Sequence, residues 1–313
     1  MNELATPKIM ACMSMAVEIY LDQKEVENPN VNYSKKPLDD HQITMGGSTP
    51  NIVNGLQKQG YPSTLIGFTG PGGKDDPALN LLNSIEIPGL TITAVPCLGK
   101  TSLSTILRGD PHNKNFDEHL YEYKGTIIQE KFLEYRENLK KSCDGFDWKI
   151  ASGVKNSNPE MLFLTDNFGD DSNNFLIPKM DLVKDVEFRS IVPIMDVIPM
   201  NLAEYQSGNL KIEDYHELGV SLIIITDSGN GGSYSFRGTS GTYDAYLCGY
   251  TKIYETGAGD WFVASVIVSL INQGIVKIKD ATFENIKTAI EYAARIAGIK
   301  VGIKGASNGP SHD

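Results

Sequence analysis

Cysteine is scarce and scattered. The 313 residues hold four, Cys12, Cys97, Cys143 and Cys248, and none is spaced as CxxC. The five histidines supply no metal-like spacing either. These shortages argue against a structural zinc site and a disulfide framework, and the expected setting is a reducing cytoplasm. Long apolar runs are also missing: none approaches the roughly 20 residues of a membrane span. The N-terminus lacks the basic-then-apolar pattern of a secretory signal. Positive charge is short as well, with 28 Lys and Arg against 39 Asp and Glu, a net charge of −11. That field opposes nucleic acid and anionic membrane surfaces, so a small molecule is the expected partner. An anionic ligand needs a local site strong enough to overcome it.

Two phosphate-binding patterns nearly form and then fail. "LGKTS" at 98–102 contains Gly-Lys-Thr, but the glycine a P-loop needs five residues before Gly99 is Ala94. "GFTGPGGKDD" at 67–76 has glycines and a lysine, yet Asp75 stands where Ser or Thr would hold magnesium. A dinucleotide GxGxxG starting at Gly257 would need a glycine at 262, where Phe262 stands.

What is present is a core and a rhythm. Hydrophobic residues make up 41% of the chain, enough for one large domain over 1–313. Short apolar runs at Lys8–Met13, Ser63–Phe68, Trp148–Val154, Ile191–Val197 and Ser221–Thr226 predict buried strands. Helical patterns lie between them at Ile127–Cys143, Leu210–Leu218 and Thr282–Ile299. This alternation predicts an α/β fold, a doubly wound and mostly parallel sheet between helices. Residues 20–45 and 90–125 differ, being polar with short alternating pieces such as Thr101–Leu107. They are expected to form a small β appendage, a lid drawn from approximately 15–45 and 95–125.

Four stretches carry chemistry. In "YETGAGDWF", 254–262, Gly257, Ala258 and Gly259 leave bare backbone before Asp260. The apolar run Trp261–Gln273 follows and stops at Gly274, as a buried helix would. Bare backbone at a helix start, with unpaired N–H groups and the positive dipole end, suits an anion and phosphate above all. A helix cap alone does not need Gly-Ala-Gly in front of it. In "MGGSTPNIVNGLQKQGYP", 45–62, Thr49 suits a cap and Pro50 a first helical position, with Gly60 closing the helix. The pair Gly46 and Gly47 would let a ligand lie on backbone, and Asn51 can donate to or accept from a sugar hydroxyl. In "DVIPMNLAEY", 196–205, Asn201 and Glu204 are at helical spacing and also fit a capping box. In "ITDSGNGGSYSF", 225–236, a strand runs into a glycine loop, either a plain hairpin or a loop opened for a flat ring.

Together, and in this order, the four stretches resemble the ribokinase-like (PfkB) family of sugar and nucleoside kinases. Glu255 to Asp260 is similar to that family's C-terminal signature, and Gly46-Gly47 with Asn51 to its N-terminal one. Asn201-x-x-Glu204 resembles the magnesium and phosphate motif, and Thr226, Ser228, Gly229 and Gly231 the nucleotide loop. "YAARIAGIKVGIKGA", 292–306, resembles the terminal helix and the Gly305-Ala306 turn beside the adenine. The resemblance implies ATP as donor, Mg2+ held through Glu204, Asp260 accepting the proton of a primary alcohol, and a monomer or a homodimer joined through its lids. Two positions depart from the family. In "MSMAVE", 13–18, Met13 stands for a glycine and Glu18 for an Asp that binds sugar hydroxyls. Tyr254 stands for an Asp that helps bind a monovalent cation, so potassium activation is expected to be weak or absent. "GGSTPN" is nearest to adenosine kinases, which makes adenosine the first candidate acceptor. A ribokinase or other small-sugar kinase is the alternative, and a catalytically degenerate binding protein is the second. A nucleobase also needs a flat wall, for which the lid offers Tyr20, Phe116, Tyr121 and Tyr123.

Overall fold

The computed structural model describes residues 6–13, 16–23, 38–71, 76, 90–108, 118–123, 126–154, 157–169, 171–250, 254–303 and 309–310. Its strands are β1 (Ile9–Met13), β2 (Ala16–Gln23), β3 (Leu38–Gly46), β4 (Ser63–Phe68), β5 (Leu90–Val95), β6 (Ser102–Arg108) and β7 (Glu118–Tyr123). They continue as β8 (Trp148–Val154), β9 (Asn173–Pro178), β10 (Val197–Asn201), β11 (Leu222–Thr226), β12 (Gly232–Phe236) and β13 (Thr239–Tyr243). The helices are α1 (Ser48–Lys58), α2 (Gln129–Cys143), α3 (Asn158–Asn167), α4 (Met180–Val183) and α5 (Phe188–Ile191). After these come α6 (Leu202–Ser207), α7 (Ile212–Glu217), α8 (Ala258–Asn272) and α9 (Phe283–Lys300).

Nine strands form one sheet in the order β13-β12-β11-β10-β9-β8-β1-β4-β5. The pairs from β5 to β11 are parallel, and β12 and β13 close one edge as an antiparallel hairpin. Side chains alternate across it, as the two-residue period of a strand requires. Ile9 and Ala11 of β1 join the core under α1, α8 and α9, while Met10 and Cys12 join the core under α2 and α3. Both faces are therefore covered, and the parallel strands read as continuous apolar runs. The doubly wound expectation holds.

The winding fixes where a ligand can lie. From β1 the chain steps to β4 and β5 on one side, then returns to β8 on the other and continues to β11. The reversal falls between β1 and β8. In open parallel sheets the ligand crevice lies beyond the strands' carboxyl ends at such a reversal. Met13 sits at that end of β1, with φ at +91°.

A second sheet has the order β3-β2-β6-β7, with β2 and β6 parallel and the other pairs antiparallel. Leu90–Val95, expected in the appendage, instead pairs with β4 as the edge of the main sheet. Its polar outer positions, which suggested the appendage, are those of a sheet edge. The strand expected at Ile191–Val197 is also corrected. Ile191 ends α5, Val192–Ile194 make a 3-10 turn, and the strand is Val197–Asn201. Pro193 starts no ladder bond but suits the first turn of a short helix.

Candidate active site

α8 begins three residues earlier than the apolar run alone predicts. Gly257 is its N-cap, left-handed at φ +84°, and Ala258, Gly259 and Asp260 make its first turn. The amide of Ala258 donates to Glu255 O at 3.0 Å, and that of Trp261 to Gly257 O at 3.0 Å. The helix then runs through ten consecutive buried residues, Trp261 to Leu270, so its axis is fixed by packing on both sides. At its far end Gln273 is the C-cap and Gly274 turns left-handed at φ +76°. Asp260 is thereby held at the mouth that the bare backbone opens.

α1 lies against α8. A Cβ on Gly55 would stand 2.9 Å from Ala264 Cβ and 3.4 Å from Trp261, so only glycine allows this approach. The consequence is chemical: Asn51 Nδ2 donates to Asp260 Oδ2 at 2.9 Å. Asn51 is 3% exposed. The sequence offers this amide to a sugar hydroxyl, and the structure shows its Nδ2 donating to the carboxylate of Asp260. Gly47 is the N-cap of α1 at φ +91°, and Gly46 is buried at the end of β3. The expected cap at Thr49 is a correction. Its hydroxyl donates instead to Cys12 O at 3.0 Å, tying α1 to the end of β1. The helix starts at Ser48, so Pro50 falls third, still inside the first turn where a missing N–H breaks no helical bond.

Asn201 ends β10 and caps α6. Glu204 N donates to Asn201 Oδ1 at 2.8 Å, and Asn201 N donates to Glu204 Oε2 at 2.8 Å. The capping box is therefore real, and Glu204 stands behind Asn201. Burial pushes the Glu204 carboxyl above its ordinary range, against the lowering effect of the Asn201 amide. The loop after β11 tightens into a 3-10 turn at Ser228–Asn230, with Ser228 at φ +45°. Gly231 has φ +82°, and a Cβ there would meet Tyr243 O at 2.1 Å.

These elements converge on one cavity of about 370 Å³. Asn201, Thr226, Ser228, Gly229, Gly231, Ala258 and Gly259, all singled out in the sequence, line it. A Cβ on Gly229 or Gly259 would meet no described atom within 4 Å, so the missing side chains leave space for a ligand and relieve no protein contact. Asp260, Asn51 and Glu204 are not among its lining residues: Asp260 follows the lining Gly259 in the chain, Asn51 bonds to Asp260, and Glu204 bonds to the lining Asn201. Several lining residues had no motif to announce them. These are Tyr243, Ala245, Tyr246 and Leu247; Tyr243 stacks on Phe262 at 5.5 Å and 28°, and Glu255 of the C-terminal signature lines the cavity too. Ala294, Ala297 and Gly298 of α9 and its C-cap Val301 form one stripe at i, i+3, i+4, i+7 spacing, inside the 292–306 stretch whose resemblance pointed to the adenine. Gly298 is needed there, since a Cβ would meet Tyr246 O at 2.1 Å. Glu18 lies in β2 opposite Thr44 and Ser104, and its side chain lies outside the described residues. The side chains of Tyr20, Tyr121 and Tyr123 do too, as do Phe116, Gly305 and Ala306 altogether.

The sequence matches the pfkB carbohydrate kinase family over residues 8–313. The chain belongs to that family. Among solved structures, a ribokinase from Giardia lamblia aligns with TM-score 0.70 and 18% identity, covering 98% of this chain and 97% of that one. A Methanocaldococcus jannaschii nucleoside kinase of the ribokinase family gives TM-score 0.66 and 18% identity, over 96% and 94%. A Burkholderia thailandensis nucleoside kinase solved in complex with inosine gives 0.67 and 15%, over 97% and 95%. No curated protein matches the sequence. At these identities the solved structures establish the ribokinase fold. Membership in the pfkB family establishes the class, a sugar or nucleoside kinase. Among the described residues, no helix is long and apolar enough to cross a membrane.

Proposed function

We propose that this chain transfers the γ-phosphoryl group of ATP to the primary 5′ hydroxyl of a ribose-bearing molecule, with adenosine the first candidate acceptor. The observation that carries the reading is the hydrogen bond between Asn51 and Asp260, the residue that follows Gly259 in the wall of the 370 Å³ cavity. It joins the two signature helices at one carboxylate, beside a cavity whose glycines leave their backbone uncovered.

In-line phosphoryl transfer needs position and charge neutralisation more than covalent chemistry. Asp260 accepts the acceptor alcohol's proton, and Asn51 holds the carboxylate in the orientation to do so. The proton leaves late in a loose transition state, so a weak base suffices. The first turn of α8, with Gly259 open to the cavity, receives phosphate oxygens on backbone N–H groups. A helix end contributes up to about 2 kcal/mol, too little for a kinase alone. Thr226, Ser228, Gly229 and Gly231 shape one wall, and Asn201 presents its side of β10. The apolar stripe of α9 with Tyr246 and Leu247 forms a slot for the adenine.

Magnesium fits the donor set. Among the described residues, no three His, Cys, Asp or Glu gather to hold a metal. Mg2+ does not require such a cage; it keeps several waters and takes one or two carboxylates with substrate phosphates. Glu204, a partly buried carboxylate bonded to the lining Asn201, is the proposed ligand. When bound, the ion neutralises phosphate charge. The second sheet is proposed as the lid, with Glu18 on its β2 strand meeting sugar hydroxyls. Tyr254 donates its amide to Val301 O at 2.7 Å and brings no carboxylate where the family has one, so turnover is expected not to depend on potassium.

The test is ADP release with ATP and magnesium across ribosides and free sugars. Adenosine is expected to exceed free ribose in kcat/KM. Preference for ribose or a hexose would replace adenosine with the small-sugar alternative. Binding of both without turnover would favour a ligand-binding protein.

A further inference from the structure

The cavity proposed for the nucleotide carries an acid that no phosphate site needs. Glu255 lines it, solvent-exposed, and its backbone carbonyl accepts the Ala258 amide at 3.0 Å, which pins it at the start of α8. Asn201, Thr226 and Gly259 line the same cavity. Among the described lining residues none is Lys, Arg or His, and Glu255 is the one charged side chain. The whole chain adds a net charge of −11.

A carboxylate on the wall of a cavity that takes phosphate oxygens repels them. The same carboxylate attracts a hard divalent cation already carried by those phosphates. We propose that Glu255 is a specificity device: it makes this site accept the metal complex of a nucleoside polyphosphate and reject the metal-free anion. It would act on the charge state of the ligand through its own carboxylate, in addition to the ion's proposed ligand Glu204. The inference rests on the reading of this cavity as the nucleotide site.

Equilibrium binding of ADP, followed by calorimetry with and without Mg2+, tests it without any turnover. In the wild type, Mg2+ should tighten ADP binding strongly. In Glu255→Gln, metal-free ADP should bind about tenfold more tightly than to the wild type, and the gain from Mg2+ should shrink by at least that factor. Glu255→Asp keeps the charge and should retain most of the metal dependence. Because Glu255 is exposed, these variants should melt close to the wild type, and the Asp variant guards against a general loss of structure. Equal metal gains in the wild type and Glu255→Gln would overturn the proposal. So would equal weakening of metal-free and metal-loaded ADP, which is what a hydrogen bond to the nucleoside's hydroxyls would produce. If the wild type binds ADP under neither condition, the nucleotide reading of the cavity falls, and this inference with it.

Discussion

Met13 is the residue at which sequence and conformation disagree most openly. It ends β1 at the strand-order reversal, is 4% exposed, and holds φ at +91°, a region that suits glycine. The family pattern has glycine there, and the backbone still adopts the geometry that glycine permits. Such strain costs of order 1–3 kcal/mol and persists only where surroundings over-determine it. The surroundings are visible: Met13 is paired with Gly67 on one side and Ser152 on the other, and Thr49 holds the carbonyl of Cys12. A paired comparison isolates the strain. Met13→Ala and Met13→Gly both remove the buried side chain, but only glycine relieves the φ. The glycine variant should therefore be the more stable of the two, by about 1 kcal/mol, reversing the usual order of these residues in a strand. Chemical denaturation measures it. An alanine variant as stable as the glycine variant would show that the position carries no strain.

At the scale of elements, Asn201-x-x-Glu204 shows how one motif serves two purposes. As a capping box it satisfies amides at the start of α6, and it was legible as such from four residues. That reading does not exclude a metal role, because Gln also completes a capping box while lacking charge. Glu204→Gln should thus leave thermal stability nearly unchanged and raise the magnesium concentration needed for half-maximal rate several-fold. An unchanged magnesium profile with a lower melting temperature would reduce Glu204 to a cap. The helices illustrate what local sequence carries. α8 was legible because its apolar run is long and ends at a glycine; that run alone starts at Trp261, and the bare Gly-Ala-Gly before it marked the N-terminus that the structure shows. α1 was found but its cap was wrong, since Thr49 spends its hydroxyl on Cys12, a partner 37 positions away. The Asn51–Asp260 bond spans 209 positions, and no local pattern announces it. What the sequence did supply was both of its partners.

At the scale of the whole molecule, the parallel sheet was readable from buried runs, and its strand order was not. β9 escaped because "NNFLIP" opens with two asparagines, and β5 was assigned to the appendage because a sheet edge looks polar. The cavity was partly legible: its glycine loops and the α9 stripe lie in motif stretches, while the wall at Tyr243, Tyr246 and Leu247 depends on packing between distant segments. The proposed acceptor site is separate from this nucleotide cavity and makes its own demand on the substrate. A site that hydrogen-bonds both ribose hydroxyls rejects an analogue lacking one, because its own polar groups are left unpaired. 2′-Deoxyadenosine should therefore be a much poorer acceptor than adenosine by kcat/KM, and equal rates would remove ribose hydroxyl recognition from the account.

The central claim is that Asp260 serves phosphoryl transfer from ATP to an alcohol. The most direct measurement follows the label from γ-32P-ATP in the presence of magnesium and adenosine, with wild type and Asp260→Asn side by side. The account predicts labelled adenosine 5′-phosphate from the wild type, and a kcat lower by roughly 10²–10⁴-fold in Asp260→Asn with ATP binding retained. Near-full transfer by Asp260→Asn would contradict it.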